Sequence, residues 1–152
     1  MHPFMRQISV TYRCAMLYRE RELADTGLAG CQTPYLTALC RHPGLTQEEL
    51  ARHLNVNKSS VARHLASLEE KGYVRRDPSP DDRRILRAYP SEKTLALLPR
   101  LQQVFHDWSD YLTAAFTPEE RETLSRLMIR VADRAEAYVK GGDAPCAPSD
   151  AT

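Results

Sequence analysis

From about Met5 to Ala24 the apolar residues recur every three or four positions. Met5, Ile8, Tyr12, Ala15, Met16 and Leu23 form one stripe, while Arg6, Arg13, Arg19, Glu20 and Arg21 occupy much of the remainder. This period predicts a long amphipathic helix, ended by Asp25-Thr26-Gly27. A second helix is expected after Thr33-Pro34, a capping hydroxyl followed by proline at the first helical position, with Tyr35, Leu36 and Leu39 as its apolar residues and His42-Pro43-Gly44 as its stop. A third opens at Thr46. Gln47, Glu48 and Glu49 fill its first turn, where carboxylates meet unpaired amides and the positive end of the helix dipole, and Leu50, Ala51 and Leu54 face inward. Asn55-Val56-Asn57 breaks the period, because asparagine tolerates left-handed turn geometry and also caps helices. A fourth helix follows from Lys58, with Val61, Leu65 and Leu68 at helical spacing and Gly72 as its closing residue.

Beyond Gly72 the pattern shortens. Tyr73 to Arg76 is expected as a strand, Asp77-Pro78-Ser79-Pro80-Asp81-Asp82 as a turn, and Ile85 to Tyr89 as the return strand, giving a two-stranded hairpin with Arg83-Arg84 near its tip. Prolines suit that loop because they cannot donate to a ladder. Ser91 then caps a long helix whose stripe is Leu95, Leu98, Leu101, Phe105, Trp108, Leu112 and Ala115. Pro99 should bend it or displace its start. Thr117-Pro118-Glu119-Glu120 opens the last helix, with Leu124, Leu127, Val131, Ala135 and Tyr138 on one face, ended by Lys140-Gly141-Gly142.

The predicted fold is mostly α with a small β-hairpin wing. Residues 31–92 form a winged helix-turn-helix, flanked by an N-terminal dimerisation helix in 1–30 and C-terminal dimerisation helices in 93–140, and 141–152 is expected to be a disordered tail. The small central module cannot cover three long apolar stripes. A second copy of the chain is the economical cover, and a two-fold axis would set two reading helices one DNA turn apart on a palindrome.

Composition narrows the function classes. No apolar run approaches the length of a membrane span, and MHPFMRQISVTYR is short of apolar residues for a signal peptide, so the chain is expected in the cytoplasm. Cys14, Cys31, Cys40 and Cys146 lack metal spacing, and His2, His42, His53, His64 and His106 are scattered; no metal or cofactor is expected, and the cysteines are expected as free thiols. No nucleophile elbow, phosphate loop or paired-carboxylate signature points to an enzyme. The net charge is only +1, but it is unevenly placed: Arg52 to Lys93 holds ten Lys or Arg against six acids, a local +4, while the remainder carries −3. A basic module on an acidic scaffold suits double-stranded DNA, since phosphate neutralisation supplies much of the affinity.

The candidate DNA contacts are Thr46, Gln47, Asn57, Lys58, Ser59, Ser60, Arg63, His64 and Ser67 on the two short helices, with Arg83 and Arg84 on the wing. His64 is placed equally well to touch phosphate or to pack beside the hairpin. One of Arg75 and Arg76 is expected to pair with Asp77, Asp81 or Asp82 as wing scaffolding. Tyr12, Tyr18, Tyr35, Trp108 and Tyr111 could line a small-molecule effector pocket, with Arg13 or Arg19 holding a carboxylate; the plain alternative is core or dimer interface.

Three features together, the block LTQEELARHL-NVNKSSVARHLASLEEKGYV, the DDRR wing before a strand and the PSEK opening of a long helix, resemble the MarR family of multiple-antibiotic-resistance-type regulators, over roughly Met5 to Val139. The resemblance implies a homodimeric repressor released from DNA by a small phenolic or aromatic acid bound between the dimer helices and the reading module. It implies groove-facing roles for Ser59, Ser60 and Arg63, minor-groove entry for Arg84, and a wing-steadying role for Asp82. Some peroxide-sensing members use a cysteine near tyrosines in the N-terminal helix. Cys14, four residues before Tyr18, is the counterpart to weigh, although it lies later in its helix than theirs. The alternatives are therefore a thiol-based redox sensor of the same fold and a winged-helix interaction module that does not use DNA. The chain departs from the family pattern at Thr94, where glycine is common, and at Pro90, where an aliphatic residue is usual.

Overall fold

In the computed structural model, which describes residues 3–141, the first apolar stripe becomes α1 (Pro3–Glu22). It ends two residues before Ala24 because the chain tightens into a 3-10 turn at Ala24–Thr26, closed by Gly27 in the left-handed region at φ 69°. A second 3-10 turn, Gly30–Gln32, leads into α2 (Thr33–Arg41), whose first turn holds Pro34 as expected. Neither 3-10 turn is visible in the periodicity. A Cβ at Gly30 would collide with the backbone carbonyl of Met16, so only glycine lets this connection lie against α1.

The two short helices are α3 (Gln47–Leu54) and α4 (Lys58–Glu70). Thr46 and Glu49 form a reciprocal capping box on α3: Glu49 N donates to Thr46 Oγ1 at 3.2 Å, and Thr46 N to Glu49 Oε2 at 2.8 Å. The Thr46 backbone N–H, followed by the Thr46 hydroxyl, holds the Glu49 carboxyl below its ordinary value. Asn55 takes the left-handed conformation (φ 54°), and Asn57 caps α4 by accepting from Ser60 N at 2.7 Å.

The expected two-stranded hairpin is present, and a third, short strand joins it. Leu45–Thr46 is a short strand, β1, and it pairs antiparallel with β3 (Leu86–Pro90), which also pairs with β2 (Val74–Pro78), giving the order β1-β3-β2. Both long strands begin one residue later than expected. Each ends on a proline, Pro78 opposite Leu86 and Pro90 opposite Val74, where a missing N–H costs the ladder little. The extra strand roots the wing in the start of α3, since Thr46 pairs with Arg87 and Leu45 with Ala88.

After the sheet, α5 (Glu92–Leu112) runs through Pro99 without a displaced start. Its buried side is Thr94, Leu101 and Val104, with Leu97, Leu98, Phe105 and Trp108 partly covered, whereas Leu95 and Leu112 are exposed. The stripe expected through Leu95 is therefore turned by about one residue at its N-terminal end, onto Thr94. Thr94 is fully buried, and its Oγ1 donates to Tyr73 O at 2.5 Å.

The described residues form two compact units, divided between Asp110 and Tyr111. The core of the first comprises Leu23, Leu28, Tyr35, Leu36, Leu39, Leu50, Val61, Leu65, Leu68, Tyr73, Val74, Leu101 and Val104, so α2, α3, α4 and the sheet share one interior. The second contains α6 (Pro118–Gly141), which starts on a Thr117–Glu120 capping box as predicted. All of α6 is exposed except Val131, which is half-buried. No helix is long and apolar enough to cross a membrane among the described residues. The expected tail lies outside them, apart from Gly141.

Candidate nucleic-acid interface

The face of α4 begins with its cap. Asn57 Oδ1 accepts from Ser60 N and, at 2.8 Å, from Ser59 Oγ, so the first turn is fixed before any partner arrives. Lys58 lies 3.2 Å from Glu48 of α3, and Gln47 Nε2 donates to Lys58 O at 3.1 Å, which ties the two helix starts together across the turn. Arg63 Nη2 donates to Ser60 Oγ at 3.3 Å. Lys58, Ser59 and Arg63 are exposed and Ser60 is half-buried, while Val61, Leu65 and Leu68 fill the opposite side. Among the sequence candidates, Thr46 and Asn57 thus have their side-chain oxygens committed to caps, and Lys58, Ser59, Ser60 and Arg63 line one exposed face.

His64 and Ser67 have partners within the protein. The His64 ring lies 4.9 Å from that of buried Tyr35 on α2, and burial, followed by the Arg63 and Lys71 cations, pushes its imidazole below the ordinary value. Ser67 Oγ accepts from Gln32 Nε2 at 3.1 Å, on the side of α4 that meets the connection before α2.

The wing tip is built around Asp82, whose Oδ1 accepts from Arg84 N at 3.0 Å and from Arg84 Nε at 3.2 Å. Ile85 N donates to Asp82 O and Ser79 N to Ile85 O, closing a tight tip that leaves the Arg84 side chain 92% exposed and Arg83 exposed beside it. Arg75 pairs with Asp77 at 3.0 Å, as expected for one of the two strand arginines. Arg76 pairs instead with Glu69 of α4, bracing the wing against that helix. Arg87, which the sequence did not single out, joins three elements. Its Nη1 donates to Gly44 O at 2.8 Å, its Nε to Ser79 Oγ at 3.2 Å, and Glu49 lies 3.8 Å away. No local period could have found Arg87 or Glu69, because their partners are set by the sheet order.

The aromatic candidates for an effector pocket lie on α1, α2 and α5. Tyr18 stacks on Trp108 at 4.8 Å between centroids, Tyr35 is buried against His64, and Tyr12 and Arg13 are exposed on α1. Arg19 lies over the Phe105 ring at 4.6 Å, and burial lowers its guanidinium pKa. A cleft of about 350 Å³ opens between α2 and α5, lined by Thr37, Cys40, Arg41, Leu98, Gln102 and Phe105. Cys14 and Cys31 are exposed free thiols, and Cys40 is a half-buried one whose pKa burial raises. Cys146 lies outside the described residues. Among those residues no group of three or more His, Cys, Asp or Glu could hold a metal ion.

Residues 26–85 match the model of the MarR family. The chain is 30% identical over 146 residues to the uncharacterized HTH-type transcriptional regulator YybA of Bacillus subtilis (strain 168), covering 94% of this chain and 97% of that protein. It is similar to a crystal structure of MarR with TM-score 0.80 and 31% identity, over 88% of this chain and 90% of that one. It is also similar to a mutant MarR from E. coli complexed with operator DNA, with TM-score 0.77 and 25% identity, over 86% and 94% of the two chains.

Proposed function

The chain belongs to the MarR family of DNA-binding transcriptional regulators, and from that membership we propose that it is a repressor that binds a palindromic operator as a homodimer. Residues 31–92 are the reader, and 1–30 and 93–140 supply the pairing helices. The observation that carries this reading is the N-terminal half of α4, where Lys58, Ser59, Ser60 and Arg63 share an exposed face opposite a sealed apolar one. Short hydroxyls and a guanidinium on a helix braced from behind are what base edges and phosphates in a major groove require. Arg83 and Arg84 extend the contact to the flanking minor groove, with Asp82 steadying the loop. Thr46, Gln47 and Asn57 act at the phosphate backbone through the helix starts that they cap or join.

Release by a small acid completes the proposal. Its site is the α2–α5 cleft, where Arg41 offers a cation and Leu98 and Phe105 an apolar wall; the stacked Tyr18–Trp108 pair is packing beside it. An effector that favours one separation of the two reading helices changes their fit to successive major grooves. A gel shift on the DNA upstream of the gene, at two salt concentrations and with a panel of aromatic acids, tests both steps. A sequence-preferring band weakened by salt, and lost with one of the acids, is the expected result. Absence of any salt-sensitive, sequence-preferring band would leave an interaction module as the better account.

A further inference from the structure

The connection between α1 and α2 is held from two sides. From α5, Arg100 donates to both carboxylate oxygens of Asp25, at 2.8 and 2.7 Å, and to Glu22 O at 2.6 Å. From α4 and the residues after it, Lys71 Nζ donates to Gly27 O at 2.7 Å and Tyr73 Oη to Thr26 O at 2.8 Å. Gln32 sits at the end of this connection and is 3% exposed. Its carboxamide is engaged at both ends: Oε1 accepts from Ala29 N at 3.0 Å and Lys71 Nζ at 3.1 Å, and Nε2 donates to Ser67 Oγ at 3.1 Å. One buried amide therefore binds the C-terminal half of α4 to a segment that α5 grips from the other side.

We infer that Gln32 is a positioning residue for DNA reading, fixing how α4 is carried relative to α1 and thereby the separation that a pair of copies presents to an operator. It makes no DNA contact itself, being 3% exposed and bonded to Ser67 one turn beyond Arg63 on α4. A rigid link matters because a two-fold dimer matches only one half-site spacing, and a loosely held reading helix accepts several. Arg76–Glu69 braces α4 to the wing, but among the bonds described here only Gln32 joins Ser67 to the α1–α2 connection. The inference rests on the proposal that α4 enters the major groove.

The test measures binding of the full chain to a panel of operators whose half-sites are separated by the native spacing or by one or two base pairs more or fewer, and to a single half-site. Gln32→Leu keeps similar volume but removes all three hydrogen bonds, whereas Gln32→Glu can still accept from Ala29, Lys71 and the Ser67 hydroxyl. The expected result is that Q32L loses about tenfold at the preferred spacing and binds all spacings within about threefold of one another, with the single half-site unaffected and Q32E behaving as wild type. Adding Ser67→Ala to Q32L should change nothing further, because the two residues share one bond. A folded Q32L that keeps the wild-type spacing preference, or that loses affinity equally for every DNA including the single half-site, overturns the inference. Should Q32L fail to fold, Lys71→Met decides by the same two outcomes. Wild-type protein without any sequence preference would overturn the groove-reading proposal and this inference with it, whereas a preference that survives Q32L overturns this inference alone.

Discussion

Asp82 holds Arg84 at two points, the backbone N and Nε, and leaves the rest of that side chain in solvent. A guanidinium presented in this way loses little conformational freedom when it enters a narrow, electronegative groove. Arg84→Ala should weaken operator binding roughly tenfold and reduce the slope of log affinity against log salt by about one, with dimerisation unchanged. Unaltered affinity and slope in a salt titration would refute the assignment. His64 carries a different prediction. Its folded-state pKa lies below the ordinary 6.5 because of burial first and then Arg63 and Lys71, so the unfolded chain binds the proton more tightly. Stability should be flat above about pH 6.5 and fall as the pH drops from there through the folded value. Urea unfolding at about pH 7.5 and about pH 5.5 should show a smaller loss for His64→Gln than for the wild type; equal losses would exclude His64 as the cause. The exposed members of the α4 face were legible in the sequence because cap, turn and period agree there. The inward bond of Ser67 and the ring contact of His64 were not, because both depend on α2 and its approach, 29 to 35 residues earlier in the chain.

At the scale of elements, caps were the most dependable signal. Thr46, Asn57, Ser91 and Thr117 each stand at a helix start and bond a first-turn amide. Asn57 does so while also accepting from Ser59, so Asn57→Ala should cost about 1 kcal/mol of stability and weaken DNA binding beyond that loss, by freeing the α4 entrance. Chemical denaturation and operator titration of the same sample separate the two effects; a stability loss with unchanged affinity would confine Asn57 to the cap. The wing was less legible. A two-residue strand such as β1 has no period to detect, and its pairing with Ala88 and Arg87 depends on a strand forty residues away. The wing-to-helix junction departs from the family pattern at Thr94, and the structure supplies a physical role for that residue. Ser91 N and Thr94 Oγ1 both donate to Tyr73 O, and Ser91 Oγ donates to Gly72 O, so the turn after α4 is stitched to the start of α5. Thr94→Val keeps the shape and removes one of these donors, and thermal unfolding should report a loss of about 1 kcal/mol. A variant as stable as the wild type would reduce Thr94 to a space-filling residue.

At the scale of the whole molecule, the proposed dimer turns on α6. Leu124, Leu127, Met128, Ile129, Tyr138 and Val139 are 38% to 71% exposed, and on α1 Met5, Tyr12 and Leu17 are between 51% and 66% exposed. Contiguous exposed apolar side chains mark interaction surfaces, and full burial of one such side chain contributes about 1.5–3 kcal/mol. Leu124, Leu127, Met128, Val131, Ala135 and Tyr138 follow the three-and-four spacing of a helix that packs along its length, so the face suits another helix. A second copy is the occupant consistent with a reader that needs two half-sites. Leu127→Glu places a charge in the middle of that face and leaves the sequence of the α3–α4 module unchanged. It should yield a monomer in sedimentation with a folded reading module, and operator affinity should fall by at least about 100-fold, because the two half-sites are then bound independently rather than through one linked pair. A Leu127→Glu protein that remains dimeric and holds its operator would mean that α6 is covered by something other than its counterpart, and that the pairing surface lies elsewhere on the chain.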